Sequence, residues 1–459
     1  MTVSRHLRHA LLGAALFYPA MPTLAGDGDG DPLFGNQGRA IHSWPSSTIQ
    51  SETNAVSTGT DGSVVVAGWT SFPTPQQRDA VSLVRFRANG SLDAGFGNGG
   101  IAQFDIDPTS QIGERAPAVF ALSGGRTLVL VTRRIAGTMG QQPLLLSVRA
   151  DGTPDPAFGP NGLQTIDITR WAGSDVDFRA ARMADDGRIL FVGSIFDGTG
   201  IDAFVARVMP NGTIDTTFGN QGWTLIGSDE SLIATAIALD DLGRILIAGR
   251  TRGVGVDDRP MVARLGANGI ADAGFGNGGL VRANTGFSGD WGAEAIVSAV
   301  RILTGGFVQR RIFIAINRNS PRATGVLALA NEGSIATTFG NNGFVDLSLE
   351  EGSRISTLAM RSDQRLVAAG WIDPNGTAKT DFLVARMAFD GTPDTTFDGN
   401  GRARYPMNAD GDTFDTPAAM VLSGERPVIA GTLYNNTTPS YHTGVLRLSS
   451  DLIFRDGFQ

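Results

Sequence analysis

The chain has 459 residues, a formal net charge of −8 and no cysteine. Lys and Arg form no basic cluster, which argues against nucleic-acid binding, because neutralising phosphates requires concentrated positive charge. The lack of cysteine excludes a disulfide framework and a thiolate nucleophile.

The first 25 residues have the pattern of a secretory signal peptide. A basic start with Arg5 and Arg8 precedes an apolar core at 10–17 that is too short to span a bilayer. Ala25 ends a small-residue cleavage site, which would leave Gly26 as the mature N-terminus. No later segment has the pattern of a transmembrane helix. We therefore expect an exported bacterial protein, periplasmic or extracellular.

A Phe-Gly motif recurs at intervals of about 60 residues along the whole chain. It reads Phe-Gly-Asn-Gly-Gly at 96–100, and a remnant, Asp-Gly-Phe, stands at 456–458. The phenylalanines of the seven copies are Phe34, Phe96, Phe158, Phe218, Phe275, Phe339 and Phe397. A period of this length over most of the chain indicates one array of seven units spanning 26–459, without a separate catalytic domain.

Each unit contains four predicted strands, which we name a to d. In the second unit they cover 101–106, 117–122, 127–132 and 144–149. These short segments alternate apolar and polar residues and are bounded by Gly and Asp, which is typical of antiparallel β-structure.

Four antiparallel strands in each of seven units predict an all-β fold, a seven-bladed β-propeller of four-stranded antiparallel blades. A closed ring leaves no exposed sheet end. The half motif that begins at Phe34 and the half motif that ends at Phe458 would meet where the ring closes. An open β-solenoid is the alternative, although the coils of solenoids are usually shorter than 60 residues.

An Arg on strand d and an Asp three residues before the Phe also recur. The arginines are Arg85, Arg207, Arg264, Arg386 and Arg447, and the aspartates are Asp31, Asp93, Asp155, Asp215, Asp272 and Asp394. The fifth unit has Ala328 and Ala336 at these positions, so it lacks both. This joint loss predicts turn-bracing ion pairs such as Arg85–Asp93 and Arg207–Asp215, with a ring of ligand-binding charges as the alternative. If the ring closes, Asp31 can serve the last unit.

The recurring phenylalanines are predicted to be structural, with one ring packed at each junction between neighbouring blades. The adjacent Gly would supply a positive φ or allow close approach of the backbone.

The motifs resemble the delta-60 repeat of bacterial exported proteins. Asn-Gly-Thr-Ile-Asp-Thr-Thr-Phe-Gly at 211–219 and Asp-Gly-Arg-Ile-Leu-Phe-Val-Gly at 186–193 carry the resemblance most clearly. It covers essentially all of the chain after the signal peptide. The resemblance implies a propeller-like exported protein, often a module of larger surface proteins. It implies no defined reaction and no catalytic residues.

Blade topology divides the loops between two faces. The a–b and c–d loops should lie on one face, which we call the loop side, and the b–c turns and d–a junctions on the other, the turn side. The turn side is stereotyped, whereas the loop side varies in length and content, and variable loops on a rigid scaffold often carry function. The candidate ligand-binding residues there are Trp69, Phe72, Arg78, Trp171, Trp291, Trp371, Tyr434, Tyr441 and His442. Exposed aromatic rings with Arg nearby suit sugars or peptide side chains.

We therefore predict a binding or structural scaffold that engages a glycan or a protein through its loop side. The alternative is a polysaccharide hydrolase or lyase acting in the central funnel, which needs two carboxylates that converge on one substrate atom. Candidate acids on the loop side are Asp107, Asp175, Asp177, Glu230, Asp290 and Asp373. No catalytic residue is assigned.

No metal site or cofactor is predicted, and we expect a monomer. The run at 408–412, with Asp410 and Asp412, is a weak calcium candidate because it lacks the full ligand spacing. His42 and His442 lie near the predicted ring closure but have no third ligand for zinc.

Overall fold

In the residues that it describes, the computed structural model has 28 β-strands arranged in seven four-stranded antiparallel sheets. It describes residues 28–73, 78–107, 113–227, 230–252, 258–283, 291–302, 306–319, 322–348, 352–373, 379–407 and 413–450. The signal-peptide prediction and the calcium candidate at Asp410 and Asp412 lie outside these residues. In the described part, no helix is long and apolar enough to cross a membrane.

The strands are numbered in chain order, and within each blade they run from the innermost to the outermost strand. Blade 1 has β2 (Gln50–Thr58), β3 (Val64–Phe72), β4 (Arg78–Phe86) and β5 (Ile101–Phe104). Blade 2 has β6 (Glu114–Ala121), β7 (Thr127–Arg134), β8 (Gln141–Val148) and β9 (Leu163–Thr165). Blade 3 has β10 (Asp175–Met183), β11 (Ile189–Phe196), β12 (Ile201–Val208) and β13 (Trp223–Ile226). Blade 4 has β14 (Ser231–Leu239), β15 (Ile245–Arg252), β16 (Arg259–Leu265) and β17 (Leu280–Arg282).

Blade 5 has β18 (Trp291–Ile302), β19 (Val308–Asn319), β20 (Arg322–Ala330) and β21 (Phe344–Asp346). Blade 6 has β22 (Ser353–Met360), β23 (Leu366–Ile372), β24 (Asp381–Met387) and β25 (Arg402–Tyr405). Blade 7 has β26 (Thr413–Ser423), β27 (Arg426–Asn435), β28 (Ser440–Arg447) and β1 (Arg39–Ser43). Three 3-10 turns cover Ser123–Gly125, Pro160–Gly162 and Thr169–Trp171.

The seven blades surround one axial channel, which is lined by residues from the first strand of every blade. Strand b of each predicted unit therefore lies at the axis. The fold prediction of a seven-bladed β-propeller is confirmed.

The 60-residue unit of the sequence is shifted by one strand relative to the blade. Predicted strand a of the second unit is β5, and it pairs with β4 of blade 1 instead of with strand b of its own unit. The Phe-Gly motif is therefore the outer hairpin turn of a blade and does not itself cross to the next blade. Gly97, in this turn, has a φ of 54°, as the positive-φ prediction requires.

The ring closes through the N-terminal strand. β1 pairs antiparallel with β28, from Arg39 opposite Leu446 to Ser43 opposite His442, and so becomes the outer strand of blade 7. This confirms closure and excludes the open solenoid. The C-terminal remnant at 456–458 lies outside the described residues.

Seven hydrophobic clusters form the core, one between each pair of neighbouring blades. Phe96 lies fully buried in the cluster shared by blades 1 and 2, and Phe34 occupies the same place between blades 7 and 1. Phe158, between blades 2 and 3, is only half-buried. The phenylalanines thus pack at blade junctions, as their repetition predicted.

On the turn side, the repeated arginines connect their blade to the next, as in blades 1 and 3. Arg85 Nε donates to Asp93 at 2.7 Å, and its Nη2 donates to the carbonyl of Ala150 in blade 2 at 2.6 Å. The same guanidinium lies 4.3 Å above the ring of Phe96. Arg207 repeats the arrangement with Asp215 at 2.8 Å and the Ala267 carbonyl at 2.6 Å. These contacts support the turn-bracing interpretation over the ligand ring.

Blade 5, which lacks the Arg and Asp, obtains the same contact from another strand. Arg311 on β19 is buried, donates to the carbonyl of Phe389 in blade 6 at 2.6 Å and lies 4.9 Å from the Phe389 ring. Phe389 precedes the Asp-Gly turn of its blade, as Ala150 does in blade 2. A different residue has therefore taken over the connection between two blades.

Blade 5 also has longer inner strands than the other blades. β18 and β19 have 12 residues each, and β18 continues eight residues past its bulge, whereas β10 continues four. The hairpin of blade 5 therefore extends further on the turn side. Ile302 and Phe307, which flank its turn, are 75% and 73% exposed.

Candidate ligand-binding site at the loop-side mouth of the axial channel

All seven inner strands carry a β-bulge at the same level. In β10, Phe178 pairs with Gly193 and Ala180 pairs with Val192, which leaves Arg179 unpaired. A bulge re-aims a side chain, and bulges are common beside functional sites. The bulged positions that line the channel are Asn54, Pro117, Arg179, Thr235, Glu294, Ser356 and Ala418. We call this ring the axial collar.

The bulge explains why the motif Asp-Gly-Arg-Ile-Leu-Phe-Val-Gly at 186–193 ends in a glycine. A Cβ on Gly193 would overlap the carbonyl oxygen of Asp177, which the bulge brings against β11. Four further blades have a glycine in the same position, at Gly68, Gly249, Gly370 and Gly431. The repeated glycine was the sequence signal for the collar. The bulged residue opposite each glycine could not be identified without the register of the two strands.

The collar lies above a channel of about 690 Å³. Below it, many lining side chains are small, including those of Ala180, Ala236, Ala295, Ala359 and Ala419. Five of the seven collar residues are polar, each from a different blade. The collar lies near the middle of each inner strand, and the other residues that line the channel follow it toward the turn side.

The charged groups of the collar are held in ion pairs. Arg179 Nε lies 2.5 Å from Asp177 Oδ2, and Asp177 also accepts a hydrogen bond from Gln141 at 2.8 Å. Glu294 pairs with Arg354 of the next blade at 2.6 Å. The carboxylates of Asp177 and Glu294 are therefore held in place by Arg179 and Arg354.

Trp69 supports the mouth of the channel from inside the protein. It is 3% exposed, and its indole N–H donates to Glu52 at 3.2 Å. Glu52 also accepts from the collar residue Asn54 at 3.1 Å. Arg115 of blade 2 covers the Trp69 ring at 3.7 Å and pairs with Asp79 at 3.1 Å. The exposed ring expected at Trp69 is therefore absent, because the neighbouring blade covers it.

The other predicted loop-side residues are distributed over several blades. Phe72 and Arg78 face each other across the end of the blade 1 hairpin, where Arg78 pairs with Asp105 at 3.3 Å. Trp171 packs edge-on against Trp223, with ring centroids 5.8 Å apart.

In blade 5, Trp291 begins β18, opposite Arg318. Trp371 is half-buried and lies opposite Arg354, the partner of Glu294.

Three of the predicted residues come together in blade 7. The rings of Tyr434 and Tyr441 are 4.7 Å apart, and Tyr434 also lies 6.4 Å from Phe414. His442 lies on the same strand as Tyr441, and its Nδ1 contacts the hydroxyl of Ser43 at 2.9 Å. Sequence reasoning missed Phe414, which belongs to the inner strand and not to a loop.

Two of the carboxylates proposed for catalysis are held in ion pairs on different blades. Asp107 pairs with Arg133 at 3.1 Å, and Glu230 pairs with Arg282 at 3.0 Å. Asp290 lies outside the described residues. Among the described residues that line the channel none is His, and no group of three or more His, Asp or Glu in the described ranges of the chain could hold a metal ion.

Two buried groups away from the channel have displaced pKa values. Burial raises the pKa of Glu114 to about 7, opposed in part by the N–H groups of Ile106 and Asp107, which donate to it. Burial, followed by the charge of His442, lowers the pKa of His42 to about 4. Both groups belong to the framework: Glu114 holds the connection into β6, and His42 lies on the closing strand β1.

Two segments of the chain match a known family. Residues 59–96 and 184–218 match the family model described as "Domain of unknown function (DUF5122) beta-propeller". This match to a β-propeller family of unknown function agrees with the repeat resemblance and with the seven-bladed fold. No curated protein sequence matches the chain.

Similar solved structures include several enzymes. One is a Trypanosoma rangeli sialidase in complex with the inhibitor DANA, with a TM-score of 0.39, 10% identity and coverage of 86% of this chain and 54% of that chain. Another is the GH43 endo-arabinanase from Bacillus licheniformis, with a TM-score of 0.32, 13% identity and coverage of 59% of this chain and 93% of that chain. The chain thus spans about half the length of the sialidase. Likenesses this distant carry no argument about activity.

Proposed function

We propose that this protein is an exported, non-enzymatic binding scaffold that holds a glycan at the axial collar. The observation that supports it is the contrast between the collar and the other repeated positions. The Phe, Arg and Asp positions largely repeat from blade to blade, whereas the collar holds Asn54, Pro117, Arg179, Thr235, Glu294, Ser356 and Ala418. A framework needs equivalent residues in equivalent places, while recognition of one asymmetric ligand needs unlike residues.

The chemistry of the collar suits a polyhydroxylated ligand. Asn54 offers an amide, Thr235 and Ser356 offer hydroxyls, and Arg179 and Glu294 offer a charged donor and a charged acceptor. Asn54 already donates to Glu52, and the hydroxyl of Thr235 donates to the Ala293 carbonyl at 2.6 Å. Sugar hydroxyls both donate and accept, so they suit the remaining polar groups, those of Arg179, Glu294 and Ser356. A small set of convergent polar groups in a concave site is the usual means of fixing the orientation of a small ligand.

The ion pairs favour binding over hydrolysis. A glycosidase needs one carboxyl to act as a proton donor and a second to act as base or nucleophile. Asp177 and Glu294 are each engaged by an arginine, so both carboxylates already serve in ion pairs of the framework. The two pairs instead present fixed charges that strengthen hydrogen bonds to a ligand.

The test is a binding screen of the mature chain against neutral and acidic mono- and oligosaccharides, by calorimetry. Arg179→Ala and Glu294→Ala should each weaken the binding of any hit by roughly 10- to 100-fold, the usual value of a hydrogen bond to a charged group. Arg133→Ala is the matched control, because Arg133 is an arginine near the loop-side end of β7 with one ion pair outside the collar. Equal affinities of all three variants would remove the collar from the site, and release of shortened sugars would establish the hydrolase alternative.

A further inference from the structure

Blade 7 carries a row of three aromatic side chains on successive strands. Phe414 on β26 lies opposite Tyr434 on β27, which lies opposite Tyr441 on β28. The ring centroids are 6.4 Å and 4.7 Å apart, and the interplanar angles are 34° and 43°. The three rings therefore follow one another in a tilted row across the blade.

The row begins on the inner strand of blade 7 and runs outward. β26 is the inner strand of blade 7 and contributes to the channel wall, whereas β28 is separated from it by β27. Phe414 is the second residue of β26, and the Tyr434–Tyr441 pair is one register step from the end of the β27–β28 hairpin. The row thus lies at the loop-side end of the blade, four residues along β26 from the collar residue Ala418.

The exposure of the row distinguishes it from the packing aromatics. Phe34 and Phe96 are fully buried at blade junctions, whereas Phe414, Tyr434 and Tyr441 are each partly exposed. Tyr441 packs against the core between blades 7 and 1, which anchors the outer end of the row. A single cross-strand aromatic pair would suffice to stabilise the hairpin. The third ring extends the row to the inner strand.

The row itself is uncharged. The adjacent Asp415 is fully buried and accepts the backbone N–H of Met407 at 3.0 Å, so its carboxylate is directed into the protein. Aromatic faces favour the C–H faces of sugar rings, whereas acidic groups require cationic partners, which these three side chains do not supply.

We propose that Phe414, Tyr434 and Tyr441 form a stacking platform for a neutral, linear oligosaccharide that extends from the axial collar outward across blade 7. The proposal rests on the proposed glycan binding and specifies the ligand as an uncharged chain of several sugar units. The collar would hold one end of the chain, and the platform would hold the following units.

The experiment compares chain lengths by calorimetry with the full mature protein. The probes are cellohexaose, xylohexaose and mannohexaose, each with its monosaccharide, and hexagalacturonate as the acidic counterpart. We expect at least one neutral hexasaccharide to bind at least about tenfold more tightly than its monosaccharide and than hexagalacturonate, because stacking adds to the collar contacts. Equal affinities for hexasaccharide and monosaccharide, or stronger binding of hexagalacturonate, would overturn the proposal.

Variants of Tyr434 test whether the platform produces the gain in affinity with chain length. Tyr434→Ala should remove the gain from chain length while leaving monosaccharide binding unchanged, and Tyr434→Phe should retain the gain. Tyr434→Leu keeps an apolar side chain in the hairpin without the aromatic ring, so it should lose the gain with an unchanged melting temperature. Phe196→Ala is the matched control, because Phe196 is an exposed aromatic three residues after the bulge glycine of blade 3, as Tyr434 is in blade 7.

The outcomes separate this inference from the proposed function. If Tyr434→Leu binds the hexasaccharide normally while Arg179→Ala does not, the platform is wrong and the collar stands. If Arg179→Ala and Glu294→Ala bind normally while Tyr434→Leu does not, the platform stands without the collar. If no neutral saccharide binds the wild-type protein, both proposals fail.

Discussion

Arg447 donates a hydrogen bond to Asp31 over 2.9 Å, although 416 positions separate the two residues in the chain. The pair is buried and occupies the place of the Arg85–Asp93 pair, except that its members come from opposite ends of the ring. The guanidinium of Arg447 also covers the ring of Phe34 at 4.4 Å. The ring closes with the same set of contacts that stabilises its other outer hairpins.

Asp31→Ala should therefore release the closing strand. Removing one partner of a buried ion pair costs about 3–5 kcal/mol, because the remaining charge is left without compensation. Arg447 would keep its buried charge, and β1 would lose its anchor beside β28. We expect a lower unfolding free energy and faster hydrogen exchange of residues 39–43. Asp93→Ala is the control, because that pair is less buried and anchors no terminus. Unchanged exchange in β1 would show that strand pairing alone holds the closure.

Arg311→Ala should destabilise the protein even though Arg311 occupies no repeated position. The substitution leaves the Phe389 carbonyl without its donor, which costs roughly 1–3 kcal/mol when the group is buried. Adding Ala328→Arg and Ala336→Asp to the Arg311→Ala variant introduces the repeated Arg and Asp into blade 5. This should recover part of the loss, because the strand d arginines of blades 1 and 3 donate to the equivalent carbonyl of the next blade. Denaturant unfolding of the single and triple variants measures both effects. In the wild-type background the two added residues should destabilise, since Arg311 already fills the space.

The seven junction phenylalanines should not be equivalent. Phe96→Ala removes a fully buried ring and the surface on which Arg85 lies, so a loss of about 3–5 kcal/mol is expected. Phe158→Ala should cost clearly less, because Phe158 is half-buried and Ser147 replaces the covering arginine in its blade. Chemical denaturation of the two variants compares them directly, and equal losses would show that the covering arginine does not determine how much each ring contributes.

The sequence predicted the features that repeat and missed those that depend on register. The spacing of the Phe-Gly motifs specified the blade number, and the joint loss at Ala328 and Ala336 specified the Arg–Asp pairing. The collar was not predictable, because a residue such as Arg179 looks like any polar position of an alternating strand until the bulge opposite Gly193 is known. Trp69 was misplaced for a related reason: its burial depends on Arg115 of the next blade, and no local pattern encodes that contact.

Stability between pH 4.5 and 7 should be the balance of two opposing groups. The pKa of His42 is about 4 in the folded protein, against an ordinary value of 6.5. On acidification the unfolded chain therefore binds a proton at this histidine before the folded protein does. Stability consequently falls as the pH drops below about 6.5. The pKa of Glu114 is about 7 in the folded protein, against an ordinary value of 4.5. As the pH rises, the unfolded chain therefore loses this proton before the folded protein does. Stability consequently falls as the pH rises from about 4.5 to 7. Each shift corresponds to roughly 3 kcal/mol, and the two nearly cancel over the shared range.

Single variants should reveal the two slopes. His42→Phe removes the loss of stability that protonation of His42 causes at low pH. The unfolding free energy of this variant should therefore decrease steadily from pH 4.5 to 7, through Glu114 alone. Glu114→Gln removes the opposite contribution and should give an unfolding free energy that increases over the same range. The double variant should restore the flat profile of the wild-type protein. Urea unfolding at half-unit pH intervals measures all four profiles, and parallel curves for the wild-type protein and both single variants would show that neither group changes its pKa on folding.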